Sequence, residues 1–192
     1  MIEYACNIYL KNRINIKNKP ISAWFCPDVL VAEETKRQIE DKKLNVEIIT
    51  AKTPLKQRML ILDKHEKGEV ECLVSVGVLS EGWDNPNCNI IVHLRPTLSK
   101  VFWGQSVGRG LRSAKNKDSC LVIDVSSNYS TFGPVEKLKW KLWNHRKSYL
   151  EFKNRFNWIS KQQFTKDRNY TFMLCEGLVA VSYTHLTLPT NR

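Results

Sequence analysis

Nowhere in the 192 residues is there a Gly-x-x-x-x-Gly-Lys followed by Ser or Thr, the loop that cradles phosphates with its backbone amides. No Asp-Glu-x-Asp/His acidic pair for Mg²⁺ occurs either; Asp63-Lys-His-Glu66 has the wrong order and reads as a helical charge run. Cys-x-x-Cys and paired His/Cys spacings are missing. The six cysteines (Cys6, Cys26, Cys72, Cys88, Cys120 and Cys175) are scattered, three of them in or beside apolar runs. They read as buried, reduced thiols and not as a zinc site, so no protein-held metal is expected. No apolar run approaches the length of a membrane span, and the start lacks a basic stretch leading into an apolar one. A soluble, cytoplasmic protein is the expectation. Internal repeats and low-complexity tracts are absent too.

What the sequence has in excess is positive charge. Thirty Lys and Arg against nineteen Asp and Glu leave a net charge of +11, which favours a polyanionic partner, nucleic acid first. The length suits one ordinary domain with an appendage. Residues 181–192, VSYTHLTLPTNR, change character: they carry no amphipathic period and resemble translated cloning or adapter sequence, and 179–192 is set apart as a non-native tail.

Short apolar runs alternate with helical stretches. Residues 1–19 predict a lead-in helix with Ile2, Ala5, Cys6, Tyr9 and Leu10 on one side, ended by Asn18, Lys19 and Pro20. Ile21–Cys26, Val46–Ile49, Cys72–Val76, Ile90–Leu94 and Cys120–Val125 predict strands. Asp28 is the expected N-cap of a helix reaching Asp41, Pro54 opens another, and Gly68 stops it. Strands separated by helices of this length imply right-handed crossovers and a parallel α/β sheet. The loops Thr50–Thr53, Gly77–Asp84 and Pro96–Ser99 each follow a strand. All three should therefore share the carboxyl edge of the sheet, where such folds gather ligands.

The stretch from His93 to Arg112, HLRPTLSKVFWGQSVGRGLR, reads as a strand end, a turn and a helix carrying Arg109 and Arg112 in its last turn. Three residues apart, the two arginines would share a side with Gln105. Guanidinium groups bind phosphate oxygens in a two-pronged fashion, so this face suits a multiply charged anion. Gly108 and Gly110 would leave it open to close approach. A plain alternative is a helix end whose cations complement its dipole.

Beyond Gly133 the sequence turns basic and tryptophan-rich. A mainly helical extension over 134–178 is expected, with Leu138, Leu142, Tyr149, Phe152 and Phe156 as a core-facing stripe and Trp140, Trp143 and Trp158 among the cations. Such a surface can bind single strands by charge and base stacking; an amphipathic helix packed on the domain is the simpler account.

Three segments resemble the second RecA-like lobe of superfamily 2 helicases and translocases over residues 20–133. Leu73-Val-Ser-Val-Gly-Val-Leu-Ser-Glu-Gly82-Trp-Asp84 resembles motif V, a strand running into a Gly-x-Asp loop. Gln105-Ser-Val-Gly108-Arg109-Gly-Leu-Arg112 matches the Q-x-x-G-R-x-x-R of motif VI, and Thr50-Ala-Lys-Thr53 resembles a T-G-x-T segment with alanine for glycine, with Arg58 following. The wording is nearest to DEAD/DEAH-box-type helicases related to restriction-enzyme and phage translocases.

That resemblance implies a RecA-like parallel sheet and a part in ATP-driven work on nucleic acid, DNA favoured over RNA. Arg112 would be an arginine finger for the γ-phosphate, Arg109 its partner, and Gln105 a residue ordering the same interface. Gly82, Asp84 and Gly108 would sit at the nucleotide, Asp84 on the ribose or holding the arginines. Thr53 and the amides near Asp28 would touch the nucleic-acid backbone. Val76 stands where DEAD-box proteins have a backbone-binding threonine, so Ser75 or main-chain amides would substitute. ATP with Mg²⁺ would be held by an N-terminal lobe, and the chain reads as a piece starting after that lobe. A standalone nucleic-acid-binding module with the same fold and no ATPase activity is the alternative. A phosphate-ligand transferase is a third reading: Cys26 and His93 are its only candidate groups, and both read as strand-core residues.

Overall fold

The computed structural model describes residues 1–79, 83–115 and 117–138, together with the backbone of 170–175 and 178–184. The elements run α1 (Ile2–Arg13), β1 (Ser22–Phe25), α2 (Val29–Asp41), β2 (Val46–Ile49), α3 (Leu55–Glu66), β3 (Cys72–Ser75), β4 (Ile90–His93), α4 (Lys100–Gly110), β5 (Ser119–Asp124) and α5 (Asn128–Phe132), then β6 (Tyr170–Cys175) and β7 (Leu178–Thr184). The sheet order is β2-β3-β1-β4-β5-β7-β6. Its first five strands are parallel, as the alternation of strands and helices requires.

Register lines up the strand ends. Ile49 pairs with Ser75, Ser75 with Phe25, Phe25 with His93, and His93 with Asp124. The loops after β2, β3 and β4 therefore do lie along one edge. Period-2 alternation splits the apolar residues between two layers. Ala23, Phe25, Leu73, Ile91 and Val122 face α3 and α4, while Trp24, Val74, Ile90, Val92 and Ile123 face α1 and α2.

The helix signals act as the sequence implies. The Asp28 side chain accepts the Val31 amide at 2.8 Å and caps α2. Pro54 stands immediately before α3, and Gly68 follows it with φ +71°, the conformation that glycine adopts without steric cost. α1 is fastened at the opposite edge: Tyr9 Oη donates to Glu71 at 2.8 Å and Arg13 binds Glu71 through two nitrogens at 2.8 and 2.6 Å. Among the described residues no helix is long and apolar enough to cross a membrane.

The chain's end departs from expectation. Leu178–Thr184 runs antiparallel to β5, with Ser119 opposite Thr184 and Asp124 opposite Val179, and Tyr170–Cys175 pairs with it in turn. Residues set apart as tail and as helical extension thus contribute two strands, because β-branched and aromatic positions such as Val179, Val181 and Tyr183 suit an extended backbone. The expected helix and tryptophan cluster of 139–169 lie outside the described residues.

Three buried titratable groups bias the fold's pH response. Burial pushes His93 down to about 3 and His65 down to about 4, so both are neutral when folded. Each takes up a proton only on unfolding, once the pH drops below about 6.5. Burial raises Asp124 to about 6 against the pull of its hydrogen bonds from Tyr129, Ser126 and Asn128, so this carboxyl gains its proton first in the folded state. Two protonations favour unfolding and one opposes, giving a stability loss of about 1.4 kcal/mol per pH unit from about pH 6 down to about pH 4. Urea midpoints measured across that range check it, and a flat profile contradicts it.

Candidate functional site

The carboxyl edge is where the chemistry-bearing residues meet. α4 begins there because the Ser99 hydroxyl oxygen accepts the Phe102 amide at 3.2 Å, while Thr97 Oγ1 in turn accepts the Ser99 amide at 3.0 Å. Asn128 fixes the loop that leads in: its Oδ1 accepts the Thr97 amide at 2.9 Å and its Nδ2 donates to Arg95 O at 2.9 Å. The buried Asp124 accepts the Tyr129 amide at 2.7 Å and holds α5 beneath that loop.

One side of α4 is sealed. Trp103, Ser106, Val107 and Gly110 are buried, with Ser106 Oγ 2.9 Å from His93 Nε2 and Trp103 Nε1 donating to Gly133 O at 3.1 Å. Phe25 stacks on His93 at 4.9 Å with 11° between the rings. His93 and Cys26 are both core residues, as expected of strand positions. The other side of α4 carries Gln105, which is exposed, Gly108 and the half-buried Arg109.

The two glycines differ. A Cβ on Gly108 would meet nothing within 4 Å, so that surface is open. A Cβ on Gly110 would lie 2.5 Å from Ile91 Cγ1 and 2.6 Å from Cys120 Sγ. Gly110 therefore lets the helix descend onto β4 and β5 and opens no outer face, a correction to the sequence expectation. Arg112 is corrected as well: α4 stops at Gly110 with Leu111 as its cap, so Arg112 stands just past the helix.

The arginines nonetheless converge. Arg112 Nη1 pairs with Asp84 Oδ1, and Arg109 Nη1 donates to Trp83 O. Burial, then the Arg112 charge, draw the Arg109 pKa below its ordinary value, with Asp84 opposing. The two guanidinium groups and one carboxylate thus feel one another at the loop after β3. Gly82 of that loop lies outside the described residues.

The Thr50–Thr53 turn closes on itself. Thr53 Oγ1 accepts the Thr50 amide at 3.0 Å, and Arg58 Nη2 donates to Thr50 O at 3.3 Å and Thr53 O at 3.4 Å. Thr53 is half-buried and Asp28 is exposed at the start of α2. Ser75 is not on this surface: it is buried, and its Oγ accepts the Leu79 amide at 3.3 Å. Among the described residues no cluster of His, Cys, Asp or Glu is arranged to hold a metal.

Several residues that shape the site carry no motif. His65, read from sequence as part of a charge run, is fully buried; its Nε2 lies 3.1 Å from Ser22 O and its Nδ1 3.0 Å from Asn85 Nδ2, anchoring the Asp84 loop. Its place four residues after the buried Ile61 was the available signal. Lys117, Asn128 and Asp124 act through main-chain contacts that no residue spacing reveals.

Residues 3–114 match the helicase conserved C-terminal domain. The chain belongs to that family. IRC3 of Saccharomyces cerevisiae, an ATP-dependent helicase by name, is 35% identical over 100 residues, 52% of this chain and 14% of its own length. A 51.5 kDa protein of Lactococcus phage (isolate 7-9) is 26% identical over 118 residues, 61% of this chain and 26% of its own. This helicase domain thus spans about a quarter or less of those two relatives. Among solved structures, the Pyrococcus furiosus Hef helicase domain superposes with a TM-score of 0.51 at 19% identity, over 78% of this chain and 28% of that one. Domain 2 of the DEAD-box helicase Mss116p, bound to an RNA duplex, gives 0.54 at 19% identity over 84% and 65%. Likeness at that identity shows the fold: this helicase domain has the RecA-like architecture seen in those helicase lobes.

Proposed function

We propose that the chain is the second motor lobe of an ATP-dependent helicase or translocase. Arg112 reaches the γ-phosphate of ATP held by an N-terminal RecA-like lobe, Arg109 supports it on the phosphates or the lobe interface, and Gln105 orders that interface. The meeting of Arg109, Arg112 and Asp84 beside the open surface at Gly108 is the observation that carries this reading. Both partners of the ion pair are open to solvent, Arg112 at 41% and Asp84 at 59%, so a phosphate can reach Arg112 by displacing Asp84. Cations placed where charge spreads in phosphoryl transfer supply most of what a protein can add. Bound ATP supplies the phosphoryl group, while its Mg²⁺ ligands belong to the lobe that carries a P-loop and acidic pair.

Nucleic acid is gripped at the same edge by Thr53 and by the amides that follow Asp28 at the α2 start, contacts that position a backbone without reading bases. Cycles of lobe closure on ATP and opening after hydrolysis then shift that grip along one strand.

Labelled single strands of DNA and RNA, titrated with this chain, test the grip. Neutralising about three phosphates of a single strand predicts a loss of affinity of roughly 20-fold between about 50 and about 200 mM salt. Thr53→Ala together with Lys52→Ala weakens binding, whereas Arg109→Ala and Arg112→Ala leave it within about twofold if they serve the nucleotide. Binding that ignores salt contradicts the proposal. Strand binding that collapses on loss of the arginines moves them from nucleotide to nucleic acid.

A further inference from the structure

Arg112 has a weak hold on its place. α4 has ended at Gly110, and the partners in the Arg112–Asp84 ion pair are 41% and 59% exposed. Ion pairs that open contribute about 0–1 kcal/mol, too little to keep a long side chain in one orientation. The ion pair alone does not fix where Arg112 stands.

Lys117 holds it. Its Nζ donates to Arg112 O at 2.9 Å and to Pro86 O at 3.1 Å. One ammonium group thus ties the segment carrying Arg112 to the loop carrying Asp84. That loop is anchored from its other side: Asn85 Nδ2 lies 3.0 Å from His65 Nδ1 and donates to His65 O at 3.3 Å, and Asn85 Oδ1 accepts the Asn87 amide at 3.0 Å. Lys117 is half-buried, and burial draws its pKa below the ordinary lysine value, with Cys120 and Cys88 opposing. An apolar side chain would fill that space without the cost of desolvating a charge. What the cation adds is a joint between two segments. The Arg112 carbonyl also follows directly on the carboxyl end of α4, where a positive charge is favoured.

We propose that Lys117 is a positioning residue for Arg112, setting where the guanidinium stands relative to Asp84 and hence to a bound nucleotide. The proposal rests on the reading of Arg112 given above, but its structural half is testable without that reading.

The test uses the arginine Nε–Hε signals of this chain in ¹⁵N-edited spectra, assigned by loss of one signal each in Arg109→Ala and Arg112→Ala. Lys117→Met is expected to move the Arg112 signal to the position of solvent-exposed arginines, with Tm lowered by only about 2–4 °C. Lys117→Arg restores the signal. A plain stabilising role would lower Tm and leave the Arg112 signal in place, and that result overturns the proposal. Should Lys117→Met fail to fold, Lys117→Gln, too short to reach both carbonyls, must move the same signal. In the protein that joins this lobe to a P-loop lobe, Lys117→Met lowers kcat about tenfold or more with KM for ATP and strand affinity unchanged. A raised KM with kcat kept overturns it. If Arg112→Ala leaves turnover intact, the nucleotide reading of Arg112 fails, and the spectra still decide whether Lys117 positions that side chain.

Discussion

Arg112→Ala, made in a protein that joins this lobe to a P-loop lobe, is expected to lower ATP turnover by about a thousandfold or more while leaving single-strand affinity within about twofold. The size follows from what the residue offers. A planar, permanently charged fork aimed at a spreading phosphoryl charge acts in the transition state far more than in the ground state, so kcat falls and KM for ATP hardly moves. Arg112→Lys should recover little, because a single ammonium cannot reproduce two parallel hydrogen bonds. Arg109→Ala makes the contrast. Arg109 is half-buried and donates to Trp83 O, so its loss should disturb the loop as well as the charge and lower both turnover and stability. Turnover that survives Arg112→Ala would remove it from the catalytic role.

The fold was legible because its physics is periodic. Alternating apolar strands, a capping aspartate at position 28, a proline before α3 and a glycine after it each act locally, so each could be read without knowing its neighbours. The site was legible in part. Motif spacing pointed to Arg109 on α4, Arg112 just past it and Asp84 in the loop after β3 as neighbours, and an ion pair joins the last two. What could not be read depended on depth. Ser75 alternates correctly to reach the edge, yet it sits under the loop with its oxygen taken by Leu79. His65 looks like one more charge on a polar helix and is instead a buried neutral anchor. Lys117 acts on two carbonyls twenty-six positions apart along the chain, Pro86 and Arg112. Sequence spacing carries information about shared faces, and none about which face is covered.

The glycine pair of α4 makes that difference measurable. Gly110→Val is expected to destabilise the chain by about 3 kcal/mol, at the upper end of overpacking, and to lower Tm by roughly 6–12 °C. The added carbons have no room, since even a Cβ would stand 2.5 Å from Ile91 Cγ1 and 2.6 Å from Cys120 Sγ, both on strands that cannot retreat without breaking the sheet. Gly108→Ala, two residues away on the same helix, should do the reverse. Its Cβ would meet nothing within 4 Å, and the gain in helix propensity raises stability by up to about 1 kcal/mol. A stabilised Gly108→Ala chain that nevertheless impairs turnover when joined to a P-loop lobe would mean that the open surface is kept for close approach of nucleotide or lobe. Equal turnover would leave Gly108 as a neutral helix position, and the arginines alone would have to carry the nucleotide-facing reading of α4.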